Sequence, residues 1–213
     1  MPRPRSFDDA QALEAAMHCF WRRGYQATSV RELGTCMGLT GPSLYNAFGD
    51  KQQLYQQALS HYLDTGVRRR LAQWEAQLAP QAAMVAFIED LAQRATHDPE
   101  GRGCMLVNTA LELSAHDDAL RQLLQAEFAS IAGFFERCAG AAQRNGTLAT
   151  TLPAPDLARL LLAGVLGLRV LARSRAEPEQ LEATARPLLA LLCPPTTPAR
   201  RTRRPAQPHR KPR

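Results

Sequence analysis

The sequence predicts an all-α protein, in which an N-terminal three-helix helix-turn-helix domain precedes a larger C-terminal helical domain. Two observations carry that expectation. Residues 28–51 read as helix, glycine turn, short helix and stop. Beyond them, apolar residues recur at steps of three or four in one segment after another, the spacing that places them on one side of a helix.

Within 28–51, Ser29 and Glu32 have capping-box spacing, so a helix begins at Ser29. Val30, Leu33 and Met37 give it one apolar side. Gly38 ends it, because glycine tolerates the left-handed conformation of a helix stop. Thr40 is the next N-cap, and Pro42 lies early, where its missing N–H costs little. Leu44 and Phe48 point inward together, Gly49-Asp50 closes this helix, and Asp50 caps a third that starts near Lys51. In a DNA-binding helix-turn-helix the second helix lies in the major groove with its N-terminal residues at the base edges. Thr40, Gly41, Pro42, Ser43 and Asn46 then face DNA, small or polar enough for the backbone to come close. Tyr45 and Lys51 suit phosphates. Arg31 suits a guanine, and Ser29 at the start of its helix joins the candidate contacts. The competing reading of the same residues is a helical hairpin buried in an unrelated bundle.

These residues resemble the operator-binding motif of the TetR/AcrR family of bacterial repressors. Ser29, Val30, Leu33, Gly38-Leu39-Thr40, Gly41-Pro42, Ser43-Leu44-Tyr45, Phe48 and Lys51 stand at positions of the family pattern. The match covers roughly the first third of the chain. Gly34 replaces the usual alanine, which weakens the first helix slightly. Ala47 stands where the family often has His or Tyr, at the expense of a phosphate or base contact. The resemblance implies an all-helical homodimer that binds a palindromic operator as a repressor and releases it when a small-molecule effector enters the second domain.

Composition bounds the alternatives. The 213 residues suit one or two domains. The greasiest run, Leu160–Leu168, is far short of the roughly 18 apolar residues a membrane span needs. Met-Pro-Arg-Pro-Arg has no apolar h-region, so a signal peptide is not expected. Cysteines 19, 36, 104, 138 and 193 are scattered and odd in number, which reads as a reduced cytoplasmic protein without a disulfide framework. No spacing suggests a metal site, and no cofactor is expected. The net charge of +6 belongs to a tail: residues 194–213 hold seven basic groups and no acid, while residues 1–193 carry 19 basic and 20 acidic groups. The expected division is a DNA-binding domain at 1–50, an effector-binding and dimerisation domain at 51–193, and a disordered Arg/Pro-rich tail at 194–213. That tail adds salt-sensitive DNA affinity or simply solubilises. A helical enzyme is the distant alternative: Glu112 with His116 could do acid–base work, but no nucleophile motif or phosphate-cradling glycine loop accompanies them. An activator would share the helix-turn-helix and lack release by effector.

Along the chain, Arg3 and Arg5 lie on an extended arm of residues 1–7, either reaching a minor groove or unstructured. Ser6 or Asp8 starts a helix with Leu13, Ala16, Met17, Phe20 and Trp21 on one face, stopped at Gly24; Arg22 and Arg23 suit its C-terminal dipole. Lys51 to about Leu78 reads as one long helix with a weak point at Gly66, a solvated Arg68-Arg69-Arg70 cluster and a stop at Pro80. Residues 82–96 form an amphipathic helix and 97–101 a loop.

Gly103–Leu113 is apolar almost all round, hence buried, yet carries Asn108 and Glu112 on one face. Buried polar groups need a partner. That face, with Trp74, Phe87, Cys104, Met105 and Phe134, is the candidate effector pocket; internal pairing of Glu112 with an arginine is the alternative. The Gly-Cys-Met-x-x-Asn opening resembles a subset of the family. Cys104, at a helix N-terminus beside Arg102, is either a redox or electrophile switch or a small core residue. Asp117 caps a helix that runs to Asn145-Gly146, and Asp156 caps the next. Pro178 starts the last. Leu160, Gly164, Gly167, Leu168, Leu171, Leu181 and Leu188 on these last two helices form the candidate dimer interface, with burial inside one monomer as the alternative.

Overall fold

The chain starts its first helix where a carboxylate can cap it. In the computed structural model, which describes residues 8–112 and 117–193, the Asp8 side chain accepts from Ala10 N at 2.9 Å and opens α1 (Asp9–Arg23). The helices α2 (Val30–Met37), α3 (Gly41–Phe48) and α4 (Lys51–Leu63) follow, then α5 (Arg69–Gln77), α6 (Pro80–Thr96), α7 (Met105–Glu112), α8 (Asp118–Arg144), α9 (Ala154–Arg173) and α10 (Pro178–Leu192). The described residues contain no strand. None of these helices is long and apolar enough to cross a membrane.

α1 lies across α2 and α4, and their shared interior holds Ala16, Phe20, Leu33, Leu44, Phe48 and Leu54. Phe20 and Tyr25 both meet the Tyr55 ring edge-on, at 4.9 and 5.1 Å. A second layer is built from α6, α8, α9 and α10, with Phe87, Phe134 and Phe135 at its centre.

Several expected boundaries shift, for physical reasons. The long helix over 51–78 is broken. A π-helical turn occupies Asp64–Arg68, and Gly66 has φ −104° and ψ −105°, outside the helical region. Glycine commits least to a helix, so the ladder slips there. The three arginines after it are not one solvated cluster. Arg68 pairs with the buried Glu127 of α8, and Arg70 is partly buried beside Asp90 at 3.3 Å. Pro80 starts α6 instead of ending its predecessor, because a first-turn proline lacks only an N–H that has no helical partner. α7 is not buried all round. Met105, Leu106, Val107 and Thr109 face inward, but Leu111 is 72% exposed.

α7 is tied to α4 by a buried hydroxyl pair. Thr109 Oγ1 donates to Met105 O at 2.7 Å, so Tyr55 Oη is the donor in its 2.8 Å bond to Thr109. Burial pushes the Tyr55 phenol up to about 12. The folded state therefore favours the protonated ring, and this contribution is intact below pH 10. It fades as pH climbs from about 10 toward 12, at about 1.4 kcal/mol per unit. Tyr55→Phe should lower stability at pH 7 by about 1 kcal/mol and flatten that alkaline loss, as read by urea titrations at pH 7, 10 and 11.

Candidate nucleic-acid interface

The capping box is present at α2: Glu32 N donates to Ser29 Oγ at 3.2 Å and Ser29 N to Glu32 Oε2 at 2.9 Å. Gly38 closes the helix at φ 66°, in the left-handed region. The turn folds back tightly. Leu39 N donates to Gly34 O at 2.8 Å, and a Cβ on Gly34 would lie 2.7 Å from Leu39 O. Glycine at 34 thus has a packing use beyond its small cost to the helix. Thr40 caps α3, its side chain accepting from Ser43 N at 3.4 Å, and Gly49 ends it with N–H donated to Tyr45 O. Leu33, Leu44 and Phe48 are buried.

With those residues turned inward, the opposite face of α3 is open. Thr40, Pro42, Tyr45 and Asn46 are exposed, Tyr45 by 50%; Gly41, Ser43 and Ala47 are half-buried. α3 itself carries no charge. Arg31 is exposed at the edge of a shallow groove lined by Val30, Gly34, Thr35, Leu39 and Gly41. Ser29 Oγ is engaged with Glu32. The Lys51 ammonium sits 4.2 Å over the Tyr25 ring. Arg23 pairs with Glu32 and Arg22 with Glu100, which gives these two more than a dipole to answer. Arg3 and Arg5 lie outside the described residues. Two cysteines distant in sequence are neighbours here, the exposed Cys36 Sγ 2.9 Å from the buried Cys19 Sγ. Burial first, then Cys36, pushes the Cys19 thiol up to about 12.

Sequence reasoning missed how this unit is held from below. Glu112 neither lines a closed pocket nor pairs with an arginine. Its carboxylate accepts from the backbone N–H groups of Tyr25 at 3.2 Å and Gln26 at 2.7 Å, in the turn after α1. Gly24, at φ 85°, makes room: a Cβ there would lie 2.9 Å from Glu112 Oε2. Trp21 Nε1 donates to Gly103 O at 3.1 Å, and Gln52 Nε2 to Asp117 Oδ2 at 2.6 Å. Glycine at 24 beside an acid much later in the chain left no local signal.

The seven residues expected at an effector pocket do not converge. Trp74, Phe87 and Phe134 join one aromatic cluster, with ring centroids 5.8 and 6.0 Å apart for successive pairs. Met105, Asn108 and Glu112 line a different cleft of about 380 Å³ under α1. Asn108 Nδ2 donates to Arg102 O at 2.9 Å, so its polar group is satisfied internally. Cys104 is half-buried and accepts from Tyr62 Oη at 3.7 Å. His116 lies outside the described residues. A cavity of about 490 Å³ opens elsewhere, among Trp21, Tyr62, Gly66, Arg70, Arg102 and Arg169, and contains none of the seven.

The expected dimer residues also divide. Leu168, Leu181 and Leu188 are buried within the monomer, and Gly164 lies where Leu188 packs, a Cβ there meeting Leu188 Cδ2 at 2.5 Å. Leu160 is 44% exposed, Gly167 is exposed and Leu171 half-buried. The exposed side of α9 is Leu160, Ala163, Gly167 and Val170, of which Ala163 and Val170 were not anticipated. Helical periodicity marks two apolar sides here but not which one the monomer covers.

Comparison with known proteins agrees with this geometry. The family model described as "Bacterial regulatory proteins, tetR family" matches residues 12–58. The one described as "Tetracyclin repressor-like, C-terminal domain" matches residues 80–188. The chain is similar to the HTH-type transcriptional repressor ComR of Escherichia coli (strain K12), at 29% identity over 84% of this chain and 86% of that protein. It is 30% identical to the uncharacterized HTH-type transcriptional regulator YezE of Bacillus subtilis (strain 168), over 85% of this chain and 94% of the other. Among solved structures, a cysteine mutant of the TetR family transcriptional regulator CifR in complex with 26-bp double-strand operator DNA superposes with TM-score 0.77. It is 33% identical and covers 88% of this chain and 97% of its own.

Glu112→Ala should leave two turn N–H groups without their acceptor, lower stability by about 1–2 kcal/mol and speed exchange of the Tyr25 and Gln26 amides. Native-state hydrogen exchange measures this. Unchanged protection at both amides would show that the turn holds itself.

Proposed function

This chain belongs to the TetR family of bacterial regulatory proteins, and on that premise we propose that it is a ligand-responsive repressor that binds a palindromic operator as a homodimer. The observation that carries the reading is the uncharged, outward face of α3, presented by a helix pair whose apolar side is wholly used in packing. A duplex offers such a face two things: base edges to the small residues and phosphates to the polar ones. Thr40, Gly41, Pro42, Ser43 and Asn46 approach the bases. Tyr45 and Lys51 take phosphates, Lys51 by leaving its place over Tyr25. Arg31 reaches a guanine from α2, and Ser29 contacts the backbone at the start of that helix. CifR was solved on operator DNA and ComR is described as a repressor, which supports the same assignment here.

The division of labour follows. Residues 1–50 read DNA, 51–193 sense and dimerise, and the basic tail at 194–213 adds nonspecific affinity or serves only to solubilise. Two copies associate through the exposed stripe of Leu160, Ala163, Gly167 and Val170, with Leu171 at its edge, in a two-fold interface. The symmetry sets two α3 helices one DNA turn or a multiple apart and matches a palindrome. Effector binding favours a spacing of the two that no longer fits DNA, a population shift.

A mobility shift on the DNA upstream of the protein's own gene should show one discrete complex, weakened about tenfold by Tyr45→Ala. A genome-wide pull-down with the native protein that enriches no site overturns the reading. Leu160→Glu combined with Val170→Glu should halve the sedimenting mass and weaken operator binding by about 100-fold or more, since each half-site is then bound alone.

A further inference from the structure

The cavity of about 490 Å³ lies where α1, the π-helical turn, α6, the 97–103 loop and α9 meet. Its polar lining is mostly cationic: Arg69, Arg70, Arg94, Arg102 and Arg169. The acids near them are too few. Asp90 is shared by Arg94 at 2.9 Å and Arg70 at 3.3 Å. Arg102 lies 3.5 Å from Asp98 and 3.3 Å from Glu100, and Glu100 also serves Arg22. Arg69 and Arg169 have no carboxylate within ion-pair distance among the described residues, and the segments outside them contain no Asp or Glu. Three of the five guanidiniums thus take up the three carboxylates, and two are left without one around the same space. The buried Nε atoms of Arg70 and Arg102 meet these carboxylates at 3.3–3.5 Å without hydrogen-bond geometry, and Asp98 Oδ1 is buried in the same way. Burial, then Arg94, then Arg169 all hold the Arg70 pKa below its usual range, with Asp90 acting against them. Such an excess of planar, forked donors suits an oxyanion.

Thr65, His97 and Asp98 also line the cavity, and the other walls are apolar. Met17, Ala95 and Ala172 line them, and the Trp21 and Tyr62 rings meet edge-on at 4.9 Å, with the Arg102 guanidinium 4.4 Å from the Trp21 ring. The volume fits a small organic molecule. We propose that this cavity binds a small organic anion, a carboxylate or phosphate carried on an apolar body, and that its occupation is the effector signal. The second half rests on the ligand-response reading above. The position suits it. Trp21 on α1 is held by the carbonyl of Gly103, Arg102 O holds Asn108 of α7, and Gly66 is where the α4–α5 path breaks. An anion that draws Arg70, Arg102 and Arg169 inward pulls on all three connections.

The test is isothermal titration calorimetry of the full chain, in low-chloride buffer, with benzoate, phenyl phosphate and neutral benzamide. Saturable binding of at least one anion is expected, at least tenfold tighter than benzamide and at least tenfold weakened in Arg169→Gln and in Arg70→Met. Circular dichroism and Tm show that each variant folds, and Arg169→Gln keeps the proposal testable if Arg70→Met does not. Tighter binding of phenyl phosphate assigns the site to phosphates, and tighter binding of benzoate to carboxylates. Equal affinity for benzamide, undiminished affinity in a folded variant, or no saturation by either anion at about 10 mM overturns the anion site. Operator release is followed in parallel by mobility shift. Anion binding that leaves operator affinity unchanged overturns the effector role and leaves the site standing. Release by some other compound, with no anion bound, overturns the site and leaves ligand response standing.

Discussion

Helices of eight residues are too short to persist alone, since nucleation costs more than two turns of hydrogen bonds return. Both α2 and α3 have that length. They endure because each is capped at both ends and because Leu33, Leu44 and Phe48 are buried against Phe20 and Leu54. The constraint decides the chemistry of the outer surface. Every large apolar side chain of the pair except Tyr45 is drawn inward or half-covered, so what remains outside is small, polar or backbone. What this surface offers a partner is hydrogen bonds and close approach.

A plate held from below moves with what holds it. The turn after α1 hangs on Glu112, Trp21 on Gly103, Gln52 on Asp117, and Tyr55 on Thr109. Each bond joins the helix-turn-helix or the first turns of α4 to a segment between 100 and 117. That segment also borders the arginine-rich cavity through Arg102 and Gly103. The chain path from α4 to α5 is irregular at Asp64–Arg68, where no residue is buried and Gly66 leaves the helical region. An irregular turn beside a polar network is an arrangement in which a small change of contacts can shift an equilibrium between states.

Much of this was legible locally. The Ser29–Glu32 box, the Gly38 stop, the Thr40, Asp50 and Asp117 caps and the inward set of α1 all act within a few residues of themselves. The break within 51–78, the exposed side of α7 and the separation of Trp74, Cys104, Asn108 and Phe134 were not legible. Each depends on a partner dozens of residues away. Leu168, Leu181 and Leu188 look like Leu160 in sequence; only the neighbouring helix distinguishes covered from exposed.

The sequence by itself determined the fold class, the starts of α1 to α4 and α8 and the inward side of α3, because caps, glycine stops and apolar periodicity are short-range effects. Only the tertiary structure decided that Glu112 braces the turn after α1, that Arg70, Arg102 and Arg169 surround one cavity, and which side of α9 stays open. The physical reason is that a charge or an apolar face acquires its role from what packing brings within a few ångströms of it.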